Sequence, residues 1–152
     1  MHIRIQSVLP CSADAAWNEV VKTRLLLEVA APLVTFRAAD GMTLPEFWPA
    51  GGTVYTKPSL FGVFPMGVRA VHFERIDPIA QEIQTREWDP MIRRWDHLMR
   101  FRPLGPDRCR YSDELDIDAG LLTVGVCLFA KWFYRHRQRR WHAVARRLRG
   151  RR

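Results

Sequence analysis

Three consecutive segments of this sequence carry polar side chains where strand alternation turns them inward. Over residues 80–89, Ile83, Thr85 and Glu87 share one face. Over residues 93–102 the same side holds Trp95, His97, Met99 and Phe101, and over residues 108–118 it holds Cys109, Tyr111, Asp113, Leu115 and Ile117. The opposite faces of the last two segments carry Arg94, Asp96, Arg100 and Arg102, then Arg108, Arg110, Glu114, Asp116 and Asp118, which identifies the solvent side. His97 and Asp113 therefore both face inward.

Their distance depends on register. If the loop of residues 103–107 sets Arg102 opposite Arg108, His97 lies directly across from Asp113, and a register two residues away makes them diagonal neighbours still within reach. A hairpin centred near Met91 brings Glu87 beside Trp95. A lone carboxylate in an apolar space costs several kcal/mol, and His97 is the nearby group that can neutralise Asp113 without a long reach. With Asp113 orienting His97, and Glu87 or Tyr111 as a second proton donor, the set suits cyclisation, dehydration or hydrolysis. The same residues equally make a satisfied polar network that fixes register, or the hydrogen-bonding end of a ligand pocket. Catalysis stays open at this point.

Other chemistries find less support. Ser7, Ser12, Ser59 and Ser112 occupy no nucleophile-elbow context, and alternation turns Ser112 outward. The turn Ala50-Gly51-Gly52 has no following Gly-Lys-Ser/Thr, which sets nucleotide hydrolysis aside. Cys11, Cys109 and Cys127 are widely spaced, and His136 and His142 have no cysteine pair before them, so neither a disulfide framework, nor a metal site, nor a cofactor is expected.

These residues need a scaffold, and the order of elements supplies one. His2–Leu9 alternates as a strand, and Ser12 stands as the cap of a short helix with Asp14 in its first turn. Thr23 is positioned to cap a second piece over residues 24–31, which Pro32 ends. Strands are then expected over residues 33–38, 43–47, 53–60, 67–76, 80–89, 93–102 and 108–118, with Asp77-Pro78, Asp89-Pro90 and Leu104-Gly105-Pro106-Asp107 as turns. Residues 121–149 contain Gly125 and no proline. Leu122, Val126, Phe129, Ala130, Phe133, Trp141, Val144 and Leu148 recur at steps of three or four, with one gap at Arg137, which predicts a helix of roughly 40 Å.

A lone long helix against many strands requires a sheet curved enough to wrap it. The order of elements, Pro32 after the short helices, Trp95-Asp96-His97, Tyr111-Ser112-Asp113 and the ending Phe133-Tyr134-Arg135-His136-Arg137-Gln138 resemble the START-like helix-grip superfamily. That group, also called SRPBCC, includes polyketide cyclases and lipid carriers. The resemblance spans nearly the whole chain. It implies an α+β domain over residues 1–152, with an antiparallel sheet of six to seven strands gripping the C-terminal helix around an apolar cavity. The expected function is binding of a hydrophobic or aromatic small molecule, lipid- or polyketide-like, and the alternative is a cyclase or dehydrase using the His–Asp/Glu set in the same cavity. Candidate lining residues are Trp48, Tyr55, Phe61, Phe64, Met66, Trp95, Met99 and Phe129, with Thr85, Glu87, His97, Tyr111 and Asp113 as the polar part. The apolar loop Phe61–Gly67 reads either as a lid over the mouth or as an edge packed on a second subunit in a homodimer.

With 152 residues, 47% of them hydrophobic, one core can form without staples. The net charge of +8 is local: residues 135–152 hold nine of the 24 Lys and Arg and no acid, so the rest of the chain is near neutral. Arg135, Arg137, Arg139, Arg140, Arg146, Arg147, Arg149, Arg151 and Arg152 suit the negative end of a helix dipole first, an anionic membrane surface second and nucleic acid last. Residues 1–12 alternate and lack the apolar run of a signal peptide, and a cytoplasmic protein is the expectation.

Overall fold

The computed structural model describes residues 1–149, so Arg151 and Arg152 of the basic tail lie outside the described residues. The chain runs β1 (His2–Leu9), α1 (Ala13–Val20), α2 (Thr23–Ala30), β2 (Val34–Ala38), β3 (Thr53–Leu60), β4 (Phe64–Pro65), β5 (Arg69–Asp77), β6 (Glu82–Trp88), β7 (Arg94–Gly105), β8 (Arg108–Asp118), a 3-10 turn (Gly120–Leu122) and α3 (Thr123–Arg149). It is an α+β arrangement. One antiparallel sheet has the order β1-β8-β7-β6-β5-β3-β2, with the two-residue β4 beside β3, and α3 packs against α2, β1 and β8.

Ser12 caps α1 as expected, its side-chain oxygen accepting the Ala15 N–H at 3.2 Å. Thr23 does not cap α2. The N-cap is Lys22, while the Thr23 hydroxyl donates to the Pro45 carbonyl at 2.5 Å. The strand expected over residues 43–47 is likewise absent, because Pro45 has no N–H for a ladder. That segment instead fastens to the junction of the two helices, where Thr23 N–H donates to Glu46 O and Trp48 N–H to Val21 O, both at 3.0 Å.

The β7–β8 hairpin closes more tightly than the sequence suggested. Its strands continue to Gly105 and Arg108, leaving Pro106 and Asp107 as the turn. A bulge between Pro103 and Gly105 then sets the register, so that His97 faces Leu115 and Asp113 faces Met99. His97 and Asp113 are thus the diagonal neighbours of the second expected register. Glu87 does stand opposite Trp95, and Thr85 opposite His97. Ser112 lies between Gln6 and Arg100 on the outer face but is buried there.

Most of the apolar stripe of α3 faces inward: Ala130, Phe133, Trp141 and Val144 are buried, whereas Leu122 precedes the helix and is half exposed. The gap in that stripe is not a gap in burial. Arg137, read as part of the basic tail, is only 6% exposed, and Gln138 beside it is also buried. Its place follows from spacing, since four residues before it is Phe133 and four after it is Trp141, both on the inner face. Arg140 and Arg147 are also used by the fold. Arg140 donates to the Glu28 carbonyl and Arg147 pairs with the Glu28 carboxylate.

The interior divides in two. Leu9, Trp17, Phe101, Tyr111, Trp141 and Val144 belong to one apolar cluster, and Ile3, Leu33, Trp95, Leu115, Ile117 and Phe133 to the other. On β7, His97 separates Trp95 from Phe101; on β8, Asp113 separates Leu115 from Tyr111; on α3, Arg137 and Gln138 separate Phe133 from Trp141. A belt of polar side chains therefore crosses the core between the clusters.

Candidate functional site

A cavity of about 310 Å³ lies between the sheet and α3. Val54, Val71, Phe73, Trp95, Met99 and Phe133 give it apolar walls, and Arg69, Glu87, His97, Tyr134 and Arg137 its polar groups. Three exposed lining residues, Met66, Met91 and Gly125, mark its mouth between the loop after β3, the turn before β7 and the start of α3.

The expected site residues divide into three groups. Trp48, Met66, Glu87, Trp95, His97, Met99 and Phe129 line the cavity. Thr85, Tyr111 and Asp113 are buried behind that lining. Tyr55 and Phe64 differ from expectation: Tyr55 is 40% and Phe64 63% exposed, and neither lines the cavity. On β3 the buried alternates are Val54 and Thr56, so Tyr55 must project from the other face. Phe64 sits opposite Leu60 on the two-residue β4, which lies off the main strand order. In the same loop, Phe61 is more than half exposed and meets the ring of Trp132 edge-on at 6.5 Å.

Asp113 is the hub of the polar belt. Its Oδ1 accepts from His97 Nε2 at 2.8 Å and from the Tyr111 hydroxyl at 2.6 Å. Its Oδ2 accepts from Gln138 Nε2 at 2.8 Å, and the Gln138 amide also donates to Ile5 O at 3.0 Å. Burial alone would push the Asp113 carboxyl up. The hydrogen bond and charge of His97, the Arg137 guanidinium and the Tyr111 hydroxyl outweigh it and hold the pKa below the ordinary value. An ionised Asp113 accepts only, so His97 Nε2 carries the proton of that bond. The Tyr134 hydroxyl stands 3.3 Å from Nδ1, where it donates to a neutral ring and accepts from a protonated one. Burial, reinforced by the charge of Asp113, keeps both Tyr111 and Tyr134 protonated, with pKa values raised above the ordinary.

Both nitrogens of His97 are thereby occupied. His97 and Tyr134 both line the cavity, so the chain Asp113–His97–Tyr134 ends at its wall. Beside it the Arg137 guanidinium lies 4.8 Å from the Tyr134 ring centroid and 5.8 Å from that of Phe133. Burial opposes the Arg137 charge, and its neighbours Tyr111, Tyr134, Asp113 and Glu87 more than restore it, so its pKa is raised. Glu87 accepts the Thr85 hydroxyl at 3.1 Å. Its other oxygen is 3.7 Å from Arg69, which also binds Asp89 at 2.9 Å and lies over Trp95.

Sequence reasoning missed Arg69, Tyr134, Arg137 and Gln138. A signal existed for each: Arg69 alternates with Val71 and Phe73 on the inward face of β5, while Tyr134, Arg137 and Gln138 fall on the helix rows of Phe133, Ala130 and Trp141. Among the described residues no cluster of side chains is arranged to hold a metal ion, and no helix is long and apolar enough to cross a membrane.

No protein-family model and no curated protein matches the sequence. Solved structures do match in shape. An aromatase/cyclase from a Streptomyces species superposes with a TM-score of 0.76 at 10% identity, over 97% of this chain and 94% of that one. A START superfamily protein from Mycobacterium smegmatis gives 0.68 at 15% identity, over 97% and 98%. Norcoclaurine synthase from Thalictrum flavum, in complex with dopamine and hydroxybenzaldehyde, gives 0.66 at 11% identity, over 95% and 85%. With its eight-stranded antiparallel sheet, two short helices after the first strand and long terminal helix, the chain adopts the START-like, or SRPBCC, helix-grip fold.

Proposed function

We propose that this protein binds a hydrophobic small molecule, aromatic or lipid-like, in the cavity between sheet and α3. The observation that carries the reading is the cavity itself: a space of about 310 Å³ with mostly apolar walls and one cluster of convergent polar groups. An aromatic body fits against Trp95, Met99 and Phe133, and its polar atoms meet Tyr134, Arg137 and Glu87. Native mass spectrometry of the purified protein tests for a retained ligand, and titration with phenylnaphthylamine, a neutral fluorophore, tests the site. Met66→Ser, at the mouth, should weaken that binding by about tenfold, the scale of one lost apolar contact. Phe64→Ser, outside the cavity, should leave it unchanged. The reverse pattern would place binding on the exposed loop.

A second reading, acid–base chemistry of the cyclase or dehydrase type, is favoured by one specific feature. The 2.8 Å Asp113–His97 bond and the 3.3 Å His97–Tyr134 contact make a continuous path from a buried carboxylate to the cavity wall. In this reading Asp113 orients the ring, and His97 holds or receives the proton of the Tyr134 hydroxyl, the group that meets the substrate. Tyr134→Phe removes that hydroxyl alone. It should abolish turnover of a poly-β-ketone substrate and spare fluorophore affinity, whereas a pure binding protein shows no turnover to lose.

A further inference from the structure

The most unusual charge in the molecule is Arg137. A guanidinium has five N–H donors and no acceptor. This one is 6% exposed and lines the cavity. Its Nε makes no hydrogen bond, and among the described residues no carboxylate forms an ion pair with it. The nearby carboxylates are committed elsewhere. Both oxygens of Asp113 are taken up by His97, Tyr111 and Gln138. One oxygen of Glu87 accepts from Thr85, and the other faces Arg69.

Ring faces are what Arg137 has instead: Phe133 and Tyr134 hold the cation from the side. Such contacts stabilise positive charge but accept none of its hydrogen bonds. A buried cation with unfilled donors is a costly arrangement, and a planar fork of donors matches an anionic oxygen pair better than any neutral group does. Structural duty alone accounts poorly for it. Gln138, one residue on, already ties α3 to the sheet by bonds to Asp113 and Ile5.

We infer that the ligand of this cavity is an amphipathic acid, an apolar ring or chain bearing an anionic oxygen group, and that Arg137 is the residue that binds this group. The inference rests on the cavity being the binding site. It adds that the ligand's charge is negative and names where that charge goes: into the polar belt, beside the Tyr134 hydroxyl, with the apolar body toward Trp95 and Met99.

The test uses phenylnaphthylamine as reporter and displaces it with two competitors of nearly the same shape, naphthoate and its methyl ester. In the wild-type protein naphthoate should displace the reporter at a concentration at least tenfold below that of the ester. Arg137→Met should erase this preference when each competitor is scored against the reporter affinity measured in that same variant, and Arg139→Met, which removes an exposed cation two residues on and on the far side of the helix, should retain it. Arg137→Lys keeps the charge without the fork and should keep a reduced preference, which tests the idea even if the methionine variant fails to fold. If the reporter binds and the two competitors act equally on the wild-type protein, the ligand is not an acid and the inference falls while the cavity stands. A reporter that does not bind at all would instead overturn the cavity reading itself.

Discussion

Asp113→Ala should lower the unfolding free energy by about 3–5 kcal/mol, the range for removing one partner from a buried charged network. Three donors converge on this fully buried carboxylate, from His97, Tyr111 and Gln138, and none has another acceptor except the Gln138 amide, which shares Ile5 O. Alanine leaves those donors stranded between two apolar clusters where water has little access. Asp113→Asn should cost less, because one amide oxygen still accepts from His97 or Tyr111, although its NH₂ then opposes a donor. Urea unfolding would show the order as a fall in midpoint at unchanged slope.

The pH dependence follows from the same carboxyl. Its folded pKa lies below the ordinary carboxylate value of about 3.9, so the folded state holds fewer protons than the unfolded chain in that window. The stabilisation is fully present above about pH 5 and is lost as pH falls through the lowered folded value. Wild-type stability should therefore decline on acidification below about pH 4 more steeply than that of Asp113→Asn. Equal slopes would mean that Asp113 is not the titrating hub.

Much of this belt was legible in the sequence because strand alternation has a period of two and admits no intermediate. It turned His97, Asp113, Tyr111, Thr85 and Glu87 inward before any pairing was known. Register was less accessible. The two-residue offset between His97 and Asp113 comes from a bulge near Leu104 and a turn reduced to Pro106 and Asp107, and turn length is not written in the alternation. The strand assigned to residues 43–47 failed for a local reason, Pro45, that outweighs the apolar pattern around it.

Arg137 was overlooked for a different reason. An apolar stripe treats a charge as an interruption, so an inward arginine looks like the place where the stripe pauses. Phe133 and Trp141 lie one turn to either side of it on the same helix face, and that geometry requires Arg137 to point between them. The basic tail hid it further, since eight other arginines surround it in the sequence. Tyr55 is the converse case. Its size suggested pocket lining, but its alternation parity with Val54 and Thr56 already placed it outside. The size of the cavity was not accessible at all, because it depends on how far α3 stands from the sheet.

That standoff makes Val71→Phe the substitution with the largest expected effect on binding. Val71 lines the cavity from β5, between Val54 on β3 and Glu87 on β6. A phenyl ring there extends into the space a ligand would occupy, and its added apolar surface leaves water on folding. The two consequences have opposite signs. Affinity for phenylnaphthylamine should fall at least tenfold, while the unliganded protein should gain about 0.5–2 kcal/mol, the usual yield of filling a cavity. Damage to the fold would lower both quantities together, so the opposed changes separate occlusion from misfolding. They also separate the cavity from the exposed apolar surface near its mouth, where Phe61, Leu128 and Trp132 stand at least half exposed. A fluorophore held on that surface would be indifferent to a ring at position 71, and unchanged affinity in this variant would move the binding site out of the interior.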